Sequence, residues 1–149
     1  AVLEGPHIVY CDKVSPLGES VPRSFRMRQD AHSTAIGKAM LAYKSYEELK
    51  EVYKSYSLHK HTENTITNLD KLHVELRKVR LLGYSTNEAE TFNYVYGVGA
   101  PILDIHNRAI AAISLSGTKG TINIKTIPTL AEKVTETSRI ISLKITENK

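Results

Sequence analysis

Glycine and serine residues alternate along two neighbouring segments in the last third of the chain. Gly97 and Gly99 are two residues apart in the first segment, and Ser114 and Ser116 are two apart in the second. Because alternate side chains of a strand share a face, a hairpin with a two- or four-residue loop would set Gly97 opposite Ser116 and Gly99 opposite Ser114. Two positions without side chains beside two hydroxyl groups would leave an open patch on the sheet, here called the floor, which suits a small polar ligand. Alternatively, the small residues only allow a helix to pack closely on the strands.

A second segment with potential chemistry is Ser33-Thr-Ala-Ile-Gly-Lys-Ala, at the start of a predicted helix. The free backbone N–H groups of a helix start attract carboxylate or phosphate, and small side chains let the anion approach. Gly37-Lys38 does not complete a P-loop, because the first glycine and the hydroxyl residue after the lysine are both missing. The alternative is a simple N-cap by Ser33 or Thr34, with Gly37 allowing tight packing.

Catalytic and metal-binding patterns are weaker. Ser114 and Ser116 lack the Gly-x-Ser-x-Gly motif, and local spacing brings no histidine or carboxylate near them, so a small hydrolase is only a minor alternative. His59 and His61 lie on a polar loop and Cys11 is the single thiol. Zinc needs three or four ligands in one place, so these histidines are expected to be solvated. We therefore expect no catalytic residue, no metal and no cofactor.

The elements that must position these residues alternate between strands and helices. Ser45 and Glu48 have capping-box spacing, and Gly83 offers a C-terminal stop. Ser85 to Glu88 has a capping-type spacing typical of a turn. Strands are predicted at His7–Val14, Ser24–Arg28, Tyr94–Asp104 and Arg108–Ser116, and helices at Ser33–Tyr43, from Ser45, at Asn68–Leu82 and at Pro128–Ile145. This order predicts an α+β domain with helices around a mainly antiparallel sheet.

Composition excludes several classes of protein. The chain has 149 residues, 41% of them hydrophobic, and a net charge of +4, which is typical of one globular domain and not of a disordered chain. Its longest apolar stretches, such as Ala109 to Leu115, are too short to span a membrane. One cysteine and no leader segment favour the cytoplasm. The cations at Arg77, Lys78 and Arg80 form a solvated helix face, and no basic stripe for DNA is present.

Four blocks of sequence, in order, resemble the C-terminal effector-binding domain of IclR-type transcriptional regulators. The blocks are His32–Ala42, Leu76–Tyr84 with Glu90 following, Gly99–Asp104 and Ala111–Gly117. The resemblance implies a GAF-like or profilin-like sheet flanked by helices, with residues 1–149 as one ligand-sensing domain. It implies sensing instead of catalysis. The winged helix-turn-helix that reads DNA in this family is N-terminal and absent from this chain, so DNA would be bound only through that domain.

The resemblance also implies the residues of an effector site. It assigns backbone donors to Ala35, Ile36 and Gly37, an acidic family position to Asn87, a position often held by cysteine to Gly97, and hydroxyls to Ser114 and Ser116. Asn87 replaces the usual aspartate, and Tyr94, which could fill the floor, replaces a common glycine. We expect a small organic acid as effector and a homodimer or homotetramer as the assembly. The alternative is an oligomerisation module with a vestigial pocket.

Overall fold

The computed structural model describes residues 1–15 and 27–147. Within them lie two three-stranded antiparallel sheets, with strand orders β1-β2-β3 and β4-β5-β6, and four α-helices. The strands are β1 (Val2–Glu4), β2 (His7–Val9), β3 (Arg28–Asp30), β4 (Ser85–Glu88), β5 (Tyr96–Leu103) and β6 (Ala109–Gly117). The helices are α1 (Ala35–Leu41), α2 (Tyr46–Val52), α3 (Leu69–Leu82) and α4 (Ile127–Glu147). The predicted α+β class is confirmed.

The central strand β5 is covered on both faces. Gly99 lies against the backbone of Ala35 in α1, whereas Val98 packs with Ile122 and with Ala131 of α4. Since successive residues of a strand point to opposite faces, α1 and α4 lie on opposite sides of the second sheet. Ala1, which precedes β1, and Ala112 of β6 exchange two backbone hydrogen bonds of 3.0 Å, which join the two sheets.

Helix boundaries follow the capping residues in the sequence. Ser45 and Glu48 form the predicted capping box at the start of α2. Asn68 accepts the Lys71 N–H at the start of α3, and Gly83 ends that helix in the left-handed region, at a φ of 79°. Side chains thus satisfy amide groups that would otherwise lack partners at these helix ends. No helix in the described ranges combines the length and hydropathy that a membrane span requires.

The β5–β6 hairpin has the predicted register. Gly97 pairs with Ser116 and Gly99 pairs with Ser114. The connection Asp104–Arg108 has an odd number of residues, which alone would break this pairing. Ile102 pairs with Ala111 and Leu103 with Ala109, so Ile110 is the extra residue of a bulge. The bulge compensates for the odd loop and restores the register.

The structure corrects the predictions for Ser85–Glu88 and for His7–Val14. Ser85 to Glu88 is not a turn but strand β4, which pairs antiparallel with β5 from Ser85↔Gly99 to Glu88↔Tyr96. The strand predicted over His7–Val14 ends at Val9 in the structure. The one predicted over Ser24–Arg28 lies outside the described residues except at its end, where β3 begins at Arg28. In β4 the pairing with β5 outweighs local propensity, which is weak for so short a polar segment.

A buried ion pair connects α1 to the segment after β4. Lys38 is 1% exposed, and its Nζ donates to both carboxylate oxygens of Glu90, at 2.7 and 2.9 Å. Glu75 of α3 is a further carboxylate 3.6 Å from the same nitrogen. Burial raises the pKa of Glu90, and the charge of Lys38 opposes that shift. Removing either partner would leave an uncompensated charge in the core.

We predict that Lys38→Met lowers the free energy of unfolding by about 3 to 5 kcal/mol, because it leaves the Glu90 carboxylate buried and unpaired. Urea unfolding followed by circular dichroism measures this change. The control is Lys78→Met, which removes an exposed lysine of α3 and should change stability by less than about 0.5 kcal/mol. Equal effects of the two substitutions would contradict the structural role of the buried pair.

Asp104 closes the β5–β6 hairpin. Its Oδ1 accepts the N–H groups of His106 and Arg108, both at 2.9 Å, and its Oδ2 accepts Arg108 Nε at 2.8 Å. The backbone and side-chain hydrogen bonds from Arg108 lower the pKa of Asp104 to about 2. A carboxylate pKa lowered by folding stabilises the fold above the unfolded pKa of about 3.9, and this contribution is lost as the pH falls through the folded pKa.

We therefore predict that Asp104→Asn destabilises the domain at about pH 6 and that this destabilisation shrinks toward about pH 2. Urea unfolding of variant and wild type over a pH series gives the difference directly, which cancels the contributions of other carboxylates. Glu132→Gln, at an exposed position of α4, is the control and should show little effect at any pH. A difference for Asp104→Asn that is independent of pH would rule out this account of the hairpin.

Candidate functional site

A cleft of about 480 Å³ lies between the start of α1, the β5–β6 hairpin and the segment that follows β4. This volume is within the range of small-molecule sites. Six of the seven residues predicted for the effector site line it: Ala35, Ile36, Asn87, Gly97, Ser114 and Ser116. The structure therefore brings together residues from three separate parts of the chain.

The two glycines of the floor have different roles. A Cβ on Gly99 would lie 2.8 Å from the carbonyl carbon of Ala35, so this glycine is required for the close approach of α1. A Cβ on Gly97 would meet the Leu115 carbonyl oxygen at 3.2 Å and the Ala35 Cβ at 3.4 Å, which is tight but less severe. Close packing of the helix therefore explains Gly99, whereas Gly97 lines the cleft. Of the two hydroxyl residues, Ser114 is half-buried and Ser116 is exposed.

At the start of α1, Gly37 does not line the cleft. Its N–H donates to Thr34 Oγ1 at 3.0 Å, and a Cβ on it would lie 2.2 Å from the Ala31 carbonyl oxygen. The simple N-cap with tight packing is therefore the better description of Gly37. Ala35 and Ile36 are buried in the cleft wall, and helix geometry gives their N–H groups no partner within the helix. Of the three predicted backbone donors, Ala35 and Ile36 therefore remain candidates, whereas the N–H of Gly37 is hydrogen-bonded to Thr34.

Asn87 closes the turn that follows β4 as well as lining the cleft. Its Oδ1 accepts the Glu90 N–H at 2.8 Å, and its Nδ2 lies 3.4 Å from Thr91 Oγ1. Thr91 in turn donates to the carbonyl of Ser33 at 2.6 Å, next to the start of α1. Asn87, which stands where the resemblance implies an acidic residue, is thus held in place by its contacts with Glu90 and Thr91.

Aromatic rings and one cation complete the lining. Tyr10 lines the cleft together with Phe92 and Tyr94, whose rings stack with centroids 5.8 Å apart. Tyr94 is 68% exposed and so does not fill the floor. Lys13 is the single charged side chain among the described residues that line the cleft. Sequence reasoning missed Tyr10, Lys13 and Thr91, because only the tertiary fold brings them to the hairpin.

The lining argues against a serine hydrolase. Among the described lining residues, none is a histidine, aspartate or glutamate that could activate Ser114 or Ser116 as a nucleophile. The cleft can instead donate and accept hydrogen bonds at its floor and contact apolar atoms at its aromatic wall, the rings of Tyr10, Phe92 and Tyr94. Lys13 can attract negative charge. These are the properties of a binding site.

The architecture is that of the C-terminal domains of bacterial transcriptional regulators. The crystal structure of Thermotoga maritima IclR aligns with a TM-score of 0.78 at 37% identity, over 95% of this chain and 59% of that one. A family model described as bacterial transcriptional regulator IclR, C-terminal, matches residues 1–143. The chain belongs to this family.

Further comparisons agree with this assignment. The probable transcriptional regulator SauR of Cupriavidus necator is 32% identical over 117 residues, which cover 76% of this chain and 46% of SauR. The chain spans about half the length of the curated relatives it matches. The inducer-binding domain of PobR from Acinetobacter, solved as a double mutant with 3-hydroxybenzoic acid, is 22% identical with a TM-score of 0.78. The alignment covers 95% of this chain and 85% of the PobR domain. At this identity the likeness shows only that the two share a fold.

We predict that Gly99→Ala destabilises the domain by about 1 to 3 kcal/mol, because its Cβ would overlap the backbone of Ala35. Gly97→Ala is the matched control, with a smaller loss expected, since it lacks contacts under 3.0 Å. Urea unfolding of both variants gives the comparison. Equal losses, or a larger loss for Gly97→Ala, would show that the two glycines do not divide these roles.

Proposed function

We propose that this domain is the effector-sensing part of an IclR-type transcriptional regulator and that the cleft binds a small organic acid. In this proposal the carboxylate of the ligand lies near Lys13 and the first amides of α1, at Ala35 and Ile36. The other oxygens of the ligand bind Ser114, Ser116 and Asn87, and its carbon skeleton packs on the aromatic wall.

The observation that carries this proposal is the charge and polarity of the lining. Lys13 is accompanied by no carboxylate among the described lining residues, so the field in the cleft favours an anion. Ser114, Ser116 and Asn87 contribute hydroxyl and amide groups to the lining, and Tyr10 and Phe92 contribute apolar surface. A few polar groups within apolar walls are typical of small-molecule sites. In PobR, a domain of the same fold was solved with an aromatic hydroxy acid.

The regulatory step follows from thermodynamic coupling. A ligand that binds one arrangement of subunits more tightly than another shifts the population toward it, and a coupling of about 1 to 3 kcal/mol is sufficient. We propose a homodimer or homotetramer as the unit that responds. DNA would be bound by an N-terminal winged helix-turn-helix of the longer protein, which would act in the cytoplasm.

The test is thermal denaturation of this domain with a panel of keto acids, aliphatic hydroxy acids and aromatic hydroxy acids, each paired with its uncharged amide. At least one acid should raise the melting temperature while its amide does not. A ligand at 100 times its Kd should add about 2.7 kcal/mol of stability. Stabilisation by none of the acids would contradict sensing and favour the oligomerisation module with a vestigial pocket.

Substitutions at Lys13 and Ser114 test whether the acid binds in the cleft. Lys13→Gln and Ser114→Ala should each weaken binding of the stabilising acid by about tenfold, the equivalent of about one hydrogen bond. Isothermal titration measures the Kd. Lys133→Gln and Ser55→Ala make the same chemical changes at exposed positions outside the cleft and should leave the Kd unchanged. If the cleft variants bind as tightly as the controls, the acid binds elsewhere.

A further inference from the structure

A cluster of titratable side chains lies outside the effector cleft, at the end of β3. Asp30, His32 and His61 each offer one ligand atom, and these three atoms lie within 4.8 Å of one another. Asp30 is 7% exposed and His32 is fully buried. None of the three lines the cleft. The sequence pattern predicts only a solvated loop at His59 and His61.

Asp30 is the centre of this cluster. Its Oδ2 lies 2.8 Å from His61 Nε2, and its Oδ1 accepts the Tyr56 hydroxyl at 2.8 Å. Burial disfavours the charged carboxylate, but the hydrogen bonds from Tyr56 and His61 lower the pKa of Asp30 below its usual value. Both carboxylate oxygens of Asp30 therefore lie at the centre of the cluster, each within hydrogen-bond distance of a neighbouring side chain.

His32 supplies the observation that points to a ligand. Its Nε2 lies 3.0 Å from the carbonyl oxygen of His59, which can only accept, so in the neutral ring Nε2 carries the proton. Nδ1 is then the basic nitrogen. It is buried, and no group in the described part of the chain forms a hydrogen bond with it. A buried lone pair without a partner is costly, whereas a metal ligand whose other ring N–H is held by a carbonyl is the usual arrangement of metal-binding histidines.

We propose that Asp30, His32 and His61 form a binding site for one divalent transition-metal ion, with Zn²⁺ as the representative ion. The ion would bind a carboxylate oxygen of Asp30, Nδ1 of His32 and Nε2 of His61, replacing the hydrogen bond between Asp30 and His61. His59 Nδ1, 3.6 Å from Asp30 Oδ2, is the neighbouring candidate for a fourth ligand.

The donor set selects the class of ion. Two imidazoles and one carboxylate match Zn²⁺ and its first-row neighbours, whereas Mg²⁺ and Ca²⁺ prefer oxygen ligands only. His61 is 34% exposed, so an ion can enter from solvent without opening the core. Asp30 precedes the 3₁₀ turn Ala31–Ser33 and His32 is its middle residue, and this turn leads into the Thr34 cap of α1. A bound ion would therefore stabilise the segment that ends at the cleft wall.

The experiment uses the chain without a polyhistidine tag, stripped with a chelator and titrated with Zn²⁺ by calorimetry, with Co²⁺ absorption as a second probe of imidazole ligation. We expect one Zn²⁺ per chain, a higher melting temperature, and no response to Mg²⁺. His61→Gln, at a partly exposed position, should weaken Zn²⁺ binding by at least about tenfold. His32→Gln should do the same, provided its circular dichroism shows a native fold.

Two variants serve as controls. His106→Gln removes an exposed imidazole on the β5–β6 connection, and Cys11→Ser removes the single thiol; both should bind Zn²⁺ as the wild type does. Absence of saturable Zn²⁺ binding would overturn the proposal. So would binding that survives His61→Gln, or binding that is lost with Cys11→Ser or His106→Gln, since the ion would then lie elsewhere.

Discussion

The buried pair of Lys38 and Glu90 is the constraint on which the cleft depends. Lys38 belongs to α1, whose first turn forms one wall, and Glu90 belongs to the turn whose neighbours Asn87 and Thr91 form another. With the lysine 1% exposed, separating the two charges is expensive, so both walls are fixed relative to each other. Thr91 reinforces this link through its hydrogen bond to Ser33. The shape of the cleft is thus set in part by Lys38 and Glu90, neither of which lines it.

Small residues in this domain act mainly by allowing α1 to approach the sheet. Gly37 permits contact with Ala31, Gly99 permits contact with Ala35, and the Ser85 hydroxyl donates to the Ala35 carbonyl. The approach of the helix brings its first residues to the hairpin, where Gly97 and the serines lie. The two interpretations of the glycine and serine pattern therefore concern different residues of the same patch: Gly99 allows close packing of the helix, whereas Gly97, Ser114 and Ser116 line the cleft.

Helix ends and the faces of the hairpin strands were predictable because they depend on residues close together in the sequence. Ser45, Glu48, Asn68 and Gly83 determine helix ends within a few residues, and strand alternation determined which hairpin residues share a face. Strand β4 was missed because the spacing within Ser85–Glu88 is also typical of a turn, and only the pairing with β5 distinguishes the two. Lys13, Tyr10 and Thr91 were missed for a related reason: a residue's distance in sequence from Ser114 contains no information about the cleft. The resemblance to a family supplied Asn87, which no local pattern indicated.

The segment from Asp30 to Lys38 connects three separate kinds of interaction. Asp30 and His32 belong to the imidazole and carboxylate cluster, Thr34 caps α1, and Lys38 forms the buried pair with Glu90. Ala35 and Ile36 lie between the cap and the lysine and face the cleft. The 3₁₀ turn Ala31–Ser33 is followed directly by Thr34 and α1, so only a few peptide groups separate Asp30 from the cleft wall at Ala35. The cluster and the cleft are thus connected by one continuous backbone segment, and the pairing of Lys38 with Glu90 fixes that segment against the core.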